Sequence, residues 1–186
     1  MQDRGAESYR RFLQGSDEGL VELVREYKDG LILFMTRYVK DLYVAEELTE
    51  DIFFKLMTRK PRFDERSSFK TWLYTIGRNS AIDYIRRFHR ASPVEGECLQ
   101  KMQDEEAELE RAYLKAEQKI IVNHILQQLA PEYARVLHLR YFEELDNEQV
   151  AAVMRISNQQ ARNMLYRAKQ KLKTELEKAG FEYEEL

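Results

Sequence analysis

Apolar residues that return every three or four positions, with almost nothing to interrupt them, constrain this chain more than any other feature. Leu20, Leu23, Val24, Tyr27, Leu31, Phe34, Met35 and Tyr38 fall on one face at the 3.6-residue period of a helix. Val44, Ala45, Leu48, Ile52, Phe53, Leu56 and Met57 repeat the pattern, and Phe69, Trp72, Leu73, Ile76, Ile82 and Ile85 form a third seam. Only three prolines and seven glycines punctuate 186 residues, and alternating strand-like runs are absent, so the fold class is all-α. Local signals bound the helices. Ser16 with Asp17 and Glu18 opens the first, Pro61 stops the second, and Ser67 or Ser68 caps the third.

Charge divides the chain further. The net charge of −3 conceals a balance of +2 over residues 1–91, −5 over 92–118, +3 over 119–176 and −3 over the last ten residues. The acidic middle opens with Pro93 and Gly96 and has few large apolar residues before Leu109, which predicts a flexible tether between two small helical domains. The expected organisation is a domain over 1–91, an acidic linker over 92–118, a second domain over 119–178 and an acidic tail over 179–186. From about Asp104 the spacing of Leu109, Ala112, Leu114, Ala116, Ile120 and Ile121 favours a helix leading into the second domain. An acidic linker can simply stay solvated; it can also run through a positively charged channel on a partner.

The second domain holds the most specific local pattern, DNEQVAAVMRISNQQARNMLYRAKQKLK over residues 146–173, which reads as two short helices joined by a tight turn. Val150, Met154, Ile156, Ala161 and Leu165 are the apolar positions, and the small Ala151 lies where the helices cross. The turn carries Arg155 where such motifs usually carry glycine, and a non-glycine residue at positive φ is modestly strained. Arg162, Arg167, Lys169, Lys171 and Lys173 follow with no acid among them, a face able to meet phosphates or one that is merely solvated. A second basic surface spans Arg59 to Arg90, with nine basic residues against Asp64, Glu65 and Asp83. By contrast Glu46, Glu47, Glu50 and Asp51 cluster on the second helix, where they either face solvent or meet a basic partner.

Several classes are disfavoured. No apolar run approaches the roughly 18 residues of a membrane span, and the first residues lack an apolar signal core, so no membrane insertion and a cytoplasmic protein are expected. The single cysteine, Cys98, reads as an incidental loop thiol. His89, His124 and His138 lie far apart without metal-ligand spacing, no glycine-rich phosphate loop exists, and the carboxylates lack a catalytic partner. No cofactor, no metal and no enzymatic activity are expected.

The run FDERSSFKTWLYTIGRNSAIDYIRR resembles the promoter-opening segment of bacterial sigma factors of the extracytoplasmic-function group of the sigma-70 family, and AEELTEDIFFKL resembles their polymerase-docking helix. LAPEYARVLHLRYFEELDNEQVAAVMRISNQQARNMLYRAKQKL resembles their fourth conserved region, in the right order and at the right separation. The resemblance implies a dissociable subunit that binds core RNA polymerase, at the coiled coil of its largest subunit and at its flap. It also implies recognition of the minus 35 and minus 10 elements of promoter DNA, help in melting the duplex, and restraint by an anti-sigma factor.

By position in those motifs, Ser157, Gln159, Gln160, Arg162, Asn163, Tyr166 and Arg167 would face the minus 35 element. Gln159 and Gln160 replace the small residues often found there, which suggests a different base preference, adenine included. The loop of Phe63, Asp64, Glu65, Arg66, Ser67 and Ser68 would capture a minus 10 base that has left the stack, with Asn79 beside it. Arg62, Lys70, Arg78, Arg86, Arg87 and Arg90 would hold phosphates. Phe69 and Trp72 are assigned to the core, whereas Tyr74 fits either core or DNA. Glu47, Leu48, Glu50, Asp51 and Phe54 would dock on the polymerase; Glu50 and Asp51 stand where many relatives carry Gln then Glu, which keeps the acidity but changes the hydrogen bonds. The alternative, a stand-alone helix-turn-helix regulator, leaves the docking and promoter-opening motifs without a role.

Overall fold

A computed structural model describes residues 3–91, 125 and 128–178. The expected linker, Cys98, the helix from Asp104, His124 and the acidic tail lie outside the described residues, as do the side chains of His89 and Arg90. The chain divides into two compact units, Met1–Val94 and Glu95–Leu186. Every regular element among the described residues is helical, in keeping with the all-α expectation.

The first unit contains α1 (Arg4–Leu13), α2 (Asp17–Val39), α3 (Leu42–Arg59) and α4 (Phe69–Ala91). α2 packs against the other three. Its central residues, Leu31 to Tyr38, are all buried, so this helix is enclosed on every side where it crosses the core, the polar Thr36 and Arg37 included. Thr36 fits there because its hydroxyl donates to the Ile32 carbonyl at 2.9 Å. α1 is an addition to the sequence reading. Asp3 caps it by accepting the Ala6 N–H at 3.1 Å, and Ala6, Tyr9 and Phe12 bury a face at a spacing of three. Gly15, at φ 103°, lets the chain reverse into α2. A Cβ on Gly19 would lie 2.3 Å from the Ser8 carbonyl oxygen, so α1 and α2 cross in backbone contact at that point.

One of the two helix starts expected from the sequence holds, and α3 adds a cap that the sequence reading did not single out. Asp41 accepts the Val44 N–H at 3.0 Å to open α3, and Ser68 Oγ accepts the Thr71 N–H at 3.2 Å to open α4. Ser16 occupies the cap position of α2, but its side chain makes no cap bond; Gly19 N–H bonds the Ser16 carbonyl instead. α3 ends at Arg59, with Lys60 in the left-handed region (φ 46°) ahead of Pro61. The buried seam of α4 is rotated from the expected one: Phe69, Thr71, Leu73, Tyr74, Gly77 and Ala81 are buried, whereas Trp72, Ile76, Ile82 and Ile85 are half-buried. Tyr74 is fully buried, its ring 5.3 Å from that of Phe34, which makes it a core residue.

In the second unit, α5 (Pro131–Leu137) continues into one π turn, His138–Phe142. The Glu143 N–H closes it on the His138 carbonyl at 3.1 Å, and buried His138 lies 3.3 Å from Glu143 while stacking on Phe142. α6 (Asn147–Met154) and α7 (Asn158–Lys178) follow; α7 packs on both α5 and α6. Val150, Ala151, Val153, Met154, Ala161 and Ala168 fill the contact, and Ile156 and Leu165 are half-buried at its rim. The second helix of the expected pair is long rather than short, at 21 residues, because it runs on past the crossing.

Candidate nucleic-acid and polymerase interfaces

In the second unit the helix-turn-helix geometry rests on two capping boxes. Asp146 accepts the Gln149 N–H at 2.8 Å while the Gln149 side chain accepts the Asp146 N–H at 2.9 Å. One turn further along the motif, Ser157 Oγ accepts the Gln160 N–H at 3.2 Å and Gln160 Oε1 accepts the Ser157 N–H at 2.8 Å. Between them Arg155 takes the left-handed conformation (φ 55°, ψ 48°), as the missing glycine implies.

Ser157, Gln159, Gln160, Arg162, Asn163, Tyr166 and Arg167 are all exposed, so the first turns of α7 form an open polar face. Their side chains are not equivalent. Gln160 turns back onto the backbone, whereas Gln159 Nε2 donates to Asn163 Oδ1 at 3.0 Å across one helical turn. That bond leaves the Gln159 carbonyl oxygen and the Asn163 amide nitrogen as an acceptor and a donor on adjacent side chains. Arg162 and Arg167 are exposed and make no ion pair among the described residues. Further along, Glu175 pairs with Lys171 at 3.0 Å and Lys178 at 3.1 Å, and Lys173 lies 4.0 Å from Glu177. Hydrogen bonds from Lys171 and Lys178 hold the Glu175 carboxyl below its ordinary pKa. The uniformly basic run of the sequence therefore narrows, because its distal lysines meet acids one turn on.

The loop after α3 lies over an aromatic floor. Phe63 packs on Phe69 at 5.7 Å and on Trp72 at 5.2 Å, and Tyr9 closes the cluster at 5.4 Å from Phe69 and 5.6 Å from Trp72. Phe63 is thus half-buried, and Phe69 and Trp72 are packing residues as expected. Arg62, Asp64, Glu65, Arg66 and Ser67 are exposed above the floor. Asp64 accepts the Arg66 N–H at 3.3 Å and pairs with its guanidinium, and Glu65 sits at φ 58°, a strained conformation for a non-glycine residue. Ser68 spends its hydroxyl on the α4 cap. Lys70 reaches 6.0 Å over the Tyr27 ring. Along α4, Arg78 and Asn79 are half-buried, and Arg86 and Arg87 are exposed, Arg86 lying 3.8 Å from Asp83.

Sequence reasoning missed the residues of α1 that hold this loop. Tyr9 donates its hydroxyl to the Pro61 carbonyl at 2.6 Å, Arg10 bonds Glu65 at 2.7 Å, and Asp3 Oδ2 accepts the Phe69 N–H at 2.7 Å. Burial pushes the Tyr9 phenol up to about 12, and the bond to Glu65 raises the Arg10 guanidinium. The spacing of Ala6, Tyr9 and Phe12 behind an aspartate was the available signal. On α3, Glu47, Glu50, Asp51 and Phe54 are exposed, Phe54 at 59%, and Leu48 is half-buried beneath them. An exposed phenylalanine one helical turn from Glu50 and Asp51 is a surface suited to a basic, partly apolar partner.

No helix among the described residues is long and apolar enough to cross a membrane, and no group of His, Cys, Asp or Glu among them could hold a metal ion. A helix-turn-helix with an exposed first turn, on a chain that carries a second, independent helical unit, defines a DNA-binding protein of the transcription class. The sigma-70 region 2 profile matches residues 23–91, and the sigma-70, region 4 profile matches residues 119–172. The chain belongs to the sigma-70 family of RNA polymerase sigma factors, in its extracytoplasmic-function group. It is similar to the ECF RNA polymerase sigma factor SigM of Bacillus subtilis (strain 168), 26% identical over 152 residues that cover 82% of this chain and 91% of that protein. RNA polymerase sigma factor YlaC of the same organism is 29% identical over 167 residues, covering 87% and 94%. In fold it is similar to the sigma factor RpoE of Bartonella quintana, solved in complex with the anti-sigma factor NepR, with a TM-score of 0.60 at 17% identity over 84% of this chain and 95% of that one.

Proposed function

We propose that this protein is an alternative sigma factor that programs core RNA polymerase for a particular promoter class and has no catalytic activity of its own. The observation that carries the reading is the pairing, on one chain, of region 2 and region 4 with an exposed acidic and aromatic face on α3 and an exposed polar face on α7. Glu47, Leu48, Glu50, Asp51 and Phe54 dock on the basic coiled coil of the largest subunit, and the second unit meets the flap. Gln159, Asn163, Tyr166 and the two arginines Arg162 and Arg167 read the minus 35 element, the glutamine and asparagine at base edges and the arginines at phosphates or guanine. Gln160 and Ser157 form the frame that aims them.

The loop from Arg62 to Ser68 captures a minus 10 base on the non-template strand, with Phe63, Phe69 and Trp72 as its floor. Lys70, Arg78, Asn79, Arg86 and Arg87 guide the backbone of that strand. Capture of an unstacked base is what turns binding into melting, since unstacking costs a few kcal/mol that pocket contacts offset. The protein acts in the cytoplasm, and an anti-sigma factor restrains it, a reading supported by the fold it shares with a sigma factor solved with such a partner. In vitro transcription is the test. Core polymerase with this protein should start RNA at specific sites in a promoter library; core programmed at no site would refute the reading and leave a stand-alone regulator.

A further inference from the structure

The helix α1 lies ahead of the matched region 2, which begins at residue 23, yet it reaches the strand-capture loop at both ends and at its apex. At the entry, the Lys60 ammonium sits 4.7 Å over the Phe12 ring, and the Tyr9 hydroxyl donates to the Pro61 carbonyl at 2.6 Å. At the apex, the Arg10 guanidinium bonds the carboxylate of Glu65, itself at positive φ, at 2.7 Å. At the exit, Asp3 divides its carboxylate between two helices: one oxygen caps α1 at the Ala6 N–H, and the other accepts the first N–H of α4 from Phe69. Within the loop itself, the Arg66 N–H donates to Asp64 at 3.3 Å.

We infer that α1 is the jaw that presets the capture loop, with Tyr9, Arg10 and Asp3 as positioning residues for promoter opening. The inference rests on the sigma-factor reading above. A loop frozen in advance loses less conformational entropy when a base enters it, so more of the contact energy remains to hold the strand open. The Arg10 pairing has a second effect. It neutralises a carboxylate at the apex that would otherwise repel the phosphates of an approaching strand. The exposed ion pair by itself is worth little. The buried Tyr9 hydroxyl and the shared Asp3 cap give the jaw its stiffness, because their partners are backbone groups that cannot move without disturbing α3 and α4.

The test uses the full chain on core polymerase, at a promoter selected from a library. Tyr9→Phe removes one hydroxyl and keeps the ring; Arg10→Ala removes the apex pairing, and Arg10→Lys retains a cation there. Open complexes are read by permanganate reactivity of unpaired thymines, on the selected minus 10 element and on single-base variants of it. Loss of the anchoring hydrogen bond is expected to lower opening by about fivefold for Tyr9→Phe, and loss of the exposed apex pairing by about twofold for Arg10→Ala. It should also reduce discrimination between the selected element and its variants. Arg10→Lys should recover part of both, with core affinity and Trp72-detected unfolding close to wild type. Opening and discrimination that match wild type would overturn the inference, as would a loss of opening with discrimination intact, which marks α1 as mere support. A wild-type protein that opens no promoter would instead refute the function on which the inference rests.

Discussion

Gln160 and Ser157 bond each other's backbone, Oε1 to the Ser157 N–H at 2.8 Å and Oγ to the Gln160 N–H at 3.2 Å, so a side chain at the head of the recognition helix is committed to holding that helix's start. Gln160→Ala should cost about 1 kcal/mol of second-unit stability and weaken minus 35 binding evenly across sequences. Gln160→Glu preserves the box and should restore stability. Gln159→Ala, by contrast, should leave stability unchanged and relax the preference at one base pair. Binding selections on randomised minus 35 duplexes distinguish these outcomes; a Gln160→Ala protein with a new base preference would show that Gln160 reads DNA directly.

Arg155 in the turn carries a conformation that glycine adopts without strain. Arg155→Gly should raise the stability of the second unit by about 0.5–1 kcal/mol. Thermal unfolding by far-ultraviolet circular dichroism reads it, with the fluorescence of Trp72, the chain's one tryptophan, tracking the first unit separately. An unchanged or lowered midpoint would mean that the arginine side chain compensates for its backbone.

Gly19 marks where α1 and α2 touch. A Cβ there would meet the Ser8 carbonyl oxygen at 2.3 Å and the Phe12 nitrogen at 2.9 Å, both backbone atoms. Gly19→Ala should therefore destabilise the first unit by about 1–3 kcal/mol in urea unfolding followed at Trp72, despite the better helix propensity of alanine.

Glu22 receives bonds from Ser8 and Arg11, in that order of effect, and its carboxyl lies below the ordinary value of 4.5. A depressed folded pKa contributes stability that is complete above the unfolded value and is lost as pH falls through the folded one. First-unit stability should accordingly decline below about pH 4.5, and Glu22→Gln should flatten that decline. The group is partly exposed, so added salt should shrink the effect. Urea unfolding at stepped pH checks both.

On α3, Glu50 and Asp51 are exposed, and Asp51 has one exposed ion pair, to Lys55 at 3.7 Å. Glu50→Lys combined with Asp51→Lys should leave unfolding nearly unchanged but weaken association with core polymerase by about tenfold or more, because each reversal turns attraction to a basic coiled coil into repulsion. Affinity by fluorescence anisotropy reads this, and unaltered binding would move the docking face off α3.

Local chemistry determined a large part of this protein through the sequence alone: period-3.6 seams set the helices, Ser68 the start of α4, Pro61 a stop, and Arg155 a left-handed turn recognisable from its place in the motif. These depend on residues within a few positions of one another, which is why spacing reveals them. Tertiary packing decided the rest. The rotation of the α4 seam that buried Tyr74, the reach of Asp3, Tyr9 and Arg10 across more than fifty positions to the capture loop, and the burial of Phe63 as its floor all require the helices to be docked. A hydrogen-bond donor can be read from a sequence, but its partner can be identified only when the fold brings the two within 3 Å.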